Sequence, residues 1–139
     1  MVDQNCAYCM EGELVAKFGI KICELETSKV YLFKEQSHPG RCIVAHKKHV
    51  GDMNELTAEE RAAYFEDVAR VARAIMKAFN PDKVNYGAYG DTGHHLHFHL
   101  CPKYKDEYEW GGVFLMNPDK KYLTDAEYTE VIEKIKANL

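Results

Sequence analysis

His95-Leu96-His97-Phe98-His99-Leu100-Cys101 is the stretch on which the reading of this chain turns. Successive side chains of an extended strand face opposite ways, so this pattern puts His95, His97 and His99 on one face and Leu96, Phe98 and Leu100 on the other. The apolar face packs a core, and the opposite face displays a row of imidazoles. Residues two apart along a strand are roughly 6.5–7 Å apart, which separates the outer rings by about 13 Å, a poor span for closing around one ion. The three rings are therefore expected to have different jobs. A neutral imidazole, with an ordinary pKa near ~6.5, is a good nucleophile toward phosphorus, and His97 in the middle of the row is the candidate. His99 is placed to donate a hydrogen bond to phosphate oxygens.

Immediately upstream, Asn85-Tyr86-Gly87-Ala88-Tyr89-Gly90-Asp91-Thr92-Gly93 sets glycines where missing side chains let backbone N–H groups approach an anion. Gly87, Thr92, Gly93 and Asn85 are candidate substrate contacts. The glycine spacing matches neither nucleotide-loop fingerprint, so its position before the histidines is what gives it weight. Two competing readings stand beside this one. In the first, two of the three histidines ligate a catalytic zinc; in the second, all three are hydrogen-bonded, partly exposed strand residues. His94, out of step with the row, reads as structural.

Further out, Cys6-Ala7-Tyr8-Cys9 has the spacing of two thiolates on one tetrahedral zinc, which is also that of a redox dithiol. A redox pair normally follows a strand at a helix start, and no strand precedes this pair, so zinc is favoured. The remaining two ligands are expected to be imidazoles, with His95 and His49 as candidates. His46, in the same segment Ala45-His46-Lys47-Lys48-His49, competes with His49, and spacing alone does not separate them.

Length and composition bound the rest. The chain has 139 residues, about one ordinary domain, with a net charge of −4. No broad cationic face is available for a long nucleic acid. No apolar run approaches the ~18–20 residues of a membrane span, and acidic and polar residues stand where a signal peptide would be apolar. The five cysteines are an odd number, and Cys23, Cys42 and Cys101 lie in apolar segments, as expected of a cytoplasmic protein.

Short extended segments are expected at Leu14–Phe18, Ile20–Leu25, Val30–Phe33 and Cys42–Ala45, separated by turn formers, and again near 84–89 and 95–101. Thr57 with Glu60 forms a capping box ahead of Val68, Val71, Ala72, Ile75 and Phe79, so a long helix spans about 57–79 and stops at Asn80-Pro81. Thr124 with Glu127 repeats the logic for a closing helix. Strands in runs broken by two helices predict an α+β fold, an antiparallel sheet of about five strands with helices on one face.

The run 95–101 resembles the signature of the histidine triad family, His-x-His-x-His followed by two apolar residues. Lys47-Lys48-His49 after an apolar strand, the helix behind it, Asn85-x-Gly87 and Thr92 three residues before His95 are similar in place, so the resemblance covers roughly 4–105. It implies one histidine triad domain over 1–139, with 103–139 a C-terminal extension packing on it. It also implies a nucleotide hydrolase or nucleotidyl transferase acting on a nucleoside 5'-phosphoryl group, dinucleoside polyphosphates and nucleoside phosphoramidates being candidate substrates. His97 would become transiently nucleotidylated while His99 contacts the phosphate, and Asn85 and Thr92 would hold substrate oxygens or the leaving group. Cys6, Cys9, His49 and His95 would hold a structural zinc. A homodimer joined across the sheets is implied too, with Trp110 and the 106–118 segment approaching the partner's site. A non-catalytic nucleotide-binding module is the non-enzymatic alternative. Arg41 departs from the family, many of whose members have histidine there; as a permanent cation it is a candidate phosphate contact, or pairs with a carboxylate. In many relatives the strand corresponding to Val30–Phe33 ends in an Asp or Asn that reads the ribose, and Phe33-Lys34-Glu35-Gln36 offers no clear equivalent.

Overall fold

The computed structural model describes residues 3–139. Its centre is a five-stranded antiparallel sheet in the order β1-β2-β3-β5-β4. The strands are β1 (Gly19–Glu24), β2 (Ser28–Phe33), β3 (Cys42–His46), β4 (Lys83–Gly87) and β5 (His97–Lys103). The first three form a meander, with Ile20 opposite Leu32 and Val30 opposite Val44. Two short helices, α1 (Ala7–Met10) and α2 (Gly12–Ala16), precede it; the long helix α3 (Ala58–Phe79) joins β3 to β4, and α4 (Asp125–Lys136) closes the chain. β4 forms the far edge, and β5 folds back to fill the place between β3 and β4. The strand carrying His97 and His99 is thereby central and hydrogen-bonded on both sides, the most rigid place a sheet offers.

The helices start and stop where their capping residues dictate. The Thr57 hydroxyl accepts from Glu60 N, and the Glu60 carboxylate accepts from Thr57 N. Asn80 ends α3 in the left-handed conformation, φ 49°, with Pro81 behind it. Thr124 and Glu127 build the same reciprocal cap on α4. The buried stripe of α3, including Val68, Val71 and Ile75, packs on Val30, Leu32, Val44 and Leu100 of the sheet, and Tyr128 and Ile135 of α4 join that core. Asp67, buried in the same helix, accepts from Thr27 N, Thr27 Oγ1 and Ser28 Oγ, fixing the β1–β2 turn to the helix.

Helices therefore cover one face of the sheet, and the face bearing His97 and His99 is left for other use. Part of it, Tyr31, Phe33, Ile43 and Ala45, is packed by Tyr8 and Val15 of the N-terminal arm. Glu11 clamps that arm, accepting from the Tyr31 hydroxyl at 2.9 Å and the Lys29 ammonium at 3.1 Å. The segment after β5 crosses the other part. The Lys103 ammonium donates to the carbonyls of Glu109 and Gly112, and the Glu35 carboxylate accepts from the backbone N–H groups of Lys120 and Lys121. Among the described residues no helix is long and apolar enough to cross a membrane.

Two sequence expectations are corrected. Leu14–Phe18 is not a strand: Gly12–Ala16 is helical, because positive φ at Glu11 and Gly12 ends α1 and restarts the chain as a second turn. Five apolar-rich residues are too few for periodicity to separate the two forms. β5 runs from His97 to Lys103 instead of 95–101, so His95 lies just ahead of it in a bend where its N–H donates to the Gly93 carbonyl. Pro102 is tolerated at its far end because β3 pairs no further than Leu100, leaving only β4 opposite Pro102.

Candidate active site

The three histidines face one side and are held by three different acceptors or donors, which settle their tautomers. His97 Nδ1 lies 2.7 Å from the His95 carbonyl oxygen. A carbonyl only accepts, so Nδ1 carries the proton and Nε2 of the neutral ring keeps its lone pair. Burial holds the His97 pKa below its ordinary value, so the ring stays neutral at pH 7. His99 Nδ1 lies 3.0 Å from an Arg41 Nη, a group that only donates, which puts the His99 proton on Nε2. Burial first, and the Arg41 charge second, push the His99 pKa down to about 2. His97 and His99 rings are 5.3 Å apart, and both line a cleft of about 970 Å³. Ala45 stands opposite His97 on β3, and Gly87 stands opposite His99 on β4.

His95 faces the other way chemically. Its Nε2 donates to the His46 carbonyl at 2.7 Å, leaving the Nδ1 lone pair toward a group of thiols and a second imidazole. Cys6 Sγ is 3.3 Å from His95 Nδ1, Cys9 Sγ is 3.2 Å from His49 Nδ1, and the two imidazole nitrogens are 3.1 Å apart. All four donor atoms lie within 4.8 Å of one another, close enough for one ion to reach them together, and two thiols with two imidazoles are a donor set that suits zinc. Among the described residues this is the group close enough to hold a metal, and it leaves out His97 and His99. His46 is left out as well: it ends β3 opposite Ser28, its ring packs on Tyr64, and its Nδ1 accepts from Lys48 N. A zinc held here would crosslink the N-terminal arm to the loop before β5.

The loop residues divide. Thr92 and Gly93 line the cleft, with Gly93 close to the His97 ring: a Cβ there would sit 3.8 Å from His97 Cε1. Gly87 is buried and serves the cleft wall, since a Cβ would clash with the Tyr89 ring at 2.6 Å and the Phe114 ring at 2.9 Å. Asn85 shares the histidine face, opposite Cys101, but borders a separate cavity of about 300 Å³ with Lys83, Lys103 and Trp110. Arg41 is 0% exposed and reaches neither cavity. It makes no hydrogen bond to a carboxylate; its partners are the Leu115 and Met116 carbonyls, the Met116 sulfur and His99.

Sequence reasoning missed four side chains, Tyr8, Phe33, Phe114 and His38. Tyr8, between the two cysteines, packs its ring 5.0 Å from His97 and 5.3 Å from His95. Phe33 and Phe114 flank His99 and Arg41. His38 is 3% exposed and pairs with Glu109 at 2.7 Å, and Glu109 in turn accepts from Leu115 N. No local pattern announces these contacts; only the placement of Tyr8 inside the cysteine pair was a usable signal.

A central strand presenting two neutral imidazoles to a cleft, beside a Cys/His group close enough to hold a metal, is the arrangement of a histidine triad protein. The model of the HIT domain matches residues 19–106, more than half of the chain, and the chain belongs to the HIT family. It is 28% identical over 123 residues to Protein hit of Bacillus subtilis (strain 168), covering 84% of this chain and 83% of that protein. It is 27% identical over 141 residues to adenosine 5'-monophosphoramidase hnt1 of Schizosaccharomyces pombe, covering 95% of this chain and 99% of that enzyme. A histidine triad protein from Sinorhizobium meliloti 1021 shares the fold with a TM-score of 0.84 at 23% identity, over 92% of this chain and 95% of that one. A zinc-bound histidine triad family protein from Mycobacterium smegmatis superposes with a TM-score of 0.68 at 21% identity, over 96% and 91% of the two chains.

Proposed function

We propose that this protein is a nucleotide hydrolase or nucleotidyl transferase that cleaves a nucleoside 5'-phosphoryl bond, in a phosphoramidate or a dinucleoside polyphosphate, through a covalent nucleotidyl-His97. The observation that carries the reading is the bond from His97 Nδ1 to the His95 carbonyl, which leaves Nε2 as a lone pair in the cleft. In the first step Nε2 bonds to the α-phosphorus, and the bond from phosphorus to the leaving group breaks with its electron pair going to that group. In the second, water attacks the same phosphorus, the N–P bond breaks back onto Nε2, and the proton lost by that water balances, through solvent, the one taken up by the departing group. Nδ1–H stays on the ring throughout, and the His95 carbonyl steadies the positive charge the substituted ring carries. His99 Nε2–H, Thr92 and the Gly93 backbone are the proposed contacts to phosphoryl oxygens. Gly87 serves in the cleft wall, while Asn85 borders the separate cavity beside it.

Cys6, Cys9, His49 and His95 are proposed to bind zinc as a structural ion. His97 and His99 stand outside that group, which favours nucleophilic over metal-borne catalysis. A homodimer joined across the sheet edge accords with β4 as an edge strand and with half-exposed Tyr86 and Trp110. All five thiols are free, which suits a reducing, cytoplasmic setting. The test is incubation with adenosine 5'-monophosphoramidate labelled in the adenosine moiety, quenched in alkali. An acid-labile adduct on the wild type and none on His97→Ala is expected. Turnover without any adduct, or an adduct that persists in His97→Ala, refutes the mechanism; tight nucleotide binding without turnover supports the binding-module alternative.

A further inference from the structure

Arg41 is a buried cation without a carboxylate partner, a costly arrangement that calls for a reason. It stands immediately before β3, and its guanidinium lies between the rings of Phe33 and Phe114, 4.1 Å and 4.8 Å from their centroids. Nη1 donates to the Leu115 carbonyl at 3.1 Å, and Nη2 donates to the Met116 carbonyl at 2.9 Å and to His99 Nδ1 at 3.0 Å. Its Nε is buried with no partner, so its hydrogen bonds all leave from the Nη end, toward Leu115, Met116 and His99. It is placed to aim Nη2 at His99.

A guanidinium has five N–H donors, no acceptor, and does not give up its proton inside a protein. Whatever it meets at 3.0 Å must therefore bring a lone pair. We propose that Arg41 is a positioning residue that locks His99 as the neutral Nε2–H tautomer, so that His99 donates a hydrogen bond to phosphoryl oxygens at every working pH and takes no part in proton transfer. The lock itself stands on geometry alone, and its use on phosphoryl oxygens rests on the function proposed above. Protonating Nδ1 would set N–H against N–H beside a fixed positive charge. His97, on the same strand, is the titratable neighbour facing His99 directly. Around Arg41, Glu35 is committed to Ser37, Lys120 and Lys121, Glu109 to His38 and Leu115, and Cys101 is buried. None of them relays a proton to His99. The same guanidinium holds the carbonyls of Leu115 and Met116, two residues of the cleft wall, so one side chain sets both the tautomer and the wall beside it.

The test uses full-length, metal-loaded protein carrying ¹⁵N-histidine, with His99 assigned from the spectrum of His99→Gln. In the wild type, His99 Nδ1 is expected to resonate as an unprotonated nitrogen and Nε2 as a protonated one, unchanged between about pH 5 and pH 8. In Arg41→Met, His99 is expected to populate the other tautomer or to titrate. Its kcat on adenosine 5'-monophosphoramidate should fall about 10- to 100-fold with little change in KM, and an acid limb should appear in the pH profile. Arg41→Lys, which keeps a cationic donor, should restore the tautomer and part of kcat. A protonated Nδ1 in the wild type overturns the lock. So does an Arg41→Met protein with unchanged tautomer and kcat; if that variant fails to fold, the wild-type tautomer and Arg41→Lys decide. A wild type that shows the expected tautomer but forms no adduct with nucleotide leaves the lock standing and overturns the phosphoryl-transfer reading instead.

Discussion

The ring of Tyr8 lies 5.0 Å from that of His97, on a helical turn whose flanking residues, Cys6 and Cys9, belong to the metal-ligand group. His97, the proposed nucleophile, is thus backed by a side chain that sits between two members of the Cys/His cluster next door. Tyr8 is 7% exposed and also touches His95, Phe18 and Tyr31. Tyr8→Phe keeps the ring and should change stability and kcat little. Tyr8→Ala removes the packing and should destabilise by about 3 kcal/mol, with kcat falling more than the binding of nucleotide. Urea unfolding and steady-state kinetics on both variants check this, and equal kinetics for Ala and Phe would refute the link from Tyr8 to His97.

His97→Ala is expected to cut kcat/KM by on the order of 10³-fold or more while leaving the fold intact. The strand is held on both sides by β3 and β4, and the core on its far face, Leu100 with Val44, is untouched. Circular dichroism melting, together with turnover, is the measurement. A variant that loses activity by unfolding would assign His97 a structural role.

Cys6→Ser should lower bound zinc to well under one ion per chain and lower the thermal midpoint by several degrees, with kcat at saturating substrate reduced far less than in His97→Ala. The reason is topological: a zinc on these four residues would join the N-terminal arm to the loop before β5, so losing one ligand should free the arm before it disturbs the His97 nitrogen. Metal analysis and scanning calorimetry read the outcome. An unchanged zinc content would dismiss the ligand set, and an immediate loss of turnover on chelation would point to catalysis by the metal.

How far the sequence carried can be judged residue by residue. The side of the sheet on which His97 and His99 stand follows from strict alternation, because a period of two leaves a half-buried central strand only one register that hides Leu100 and Phe98. The caps at Thr57 and Thr124 are local chemistry and were legible for the same reason. His49 and His46 were inseparable by spacing: one lies in a loop and the other ends β3 against Tyr64, and only the three-dimensional path decides which meets Cys9. Arg41 finds its partners 58 to 75 residues away, at His99, Leu115 and Met116, so no window around residue 41 contains the information. The pattern at Leu14–Phe18 reads as a strand because the helix Gly12–Ala16 is set by positive φ at Glu11 and Gly12, which lie outside that window.

Acid should loosen the segment that crosses the cleft before it touches the sheet. Glu35 is 2% exposed, and burial by itself would raise its pKa. Hydrogen bonds from Ser37 and from the backbone N–H groups of Lys121 and Lys120 outweigh that, and the net is a carboxyl below its ordinary value. A folded-state pKa below the unfolded one means the folded protein binds the proton less readily. The contribution to stability is therefore complete above the unfolded value of about 4.3 and is lost as pH falls through the lower, folded one. Glu35→Gln presents one acceptor oxygen where the wild type offers two, and should be less stable than wild type by about 1–3 kcal/mol at pH 7. That gap should close as the pH drops below about 4, because protonated Glu35 has lost the same bonds. Urea unfolding at a series of pH values measures the gap, and hydrogen exchange at the Lys120 and Lys121 amides locates it. A gap that stays constant down to pH 3 would mean that the carboxylate charge contributes nothing to holding this segment across the histidine face.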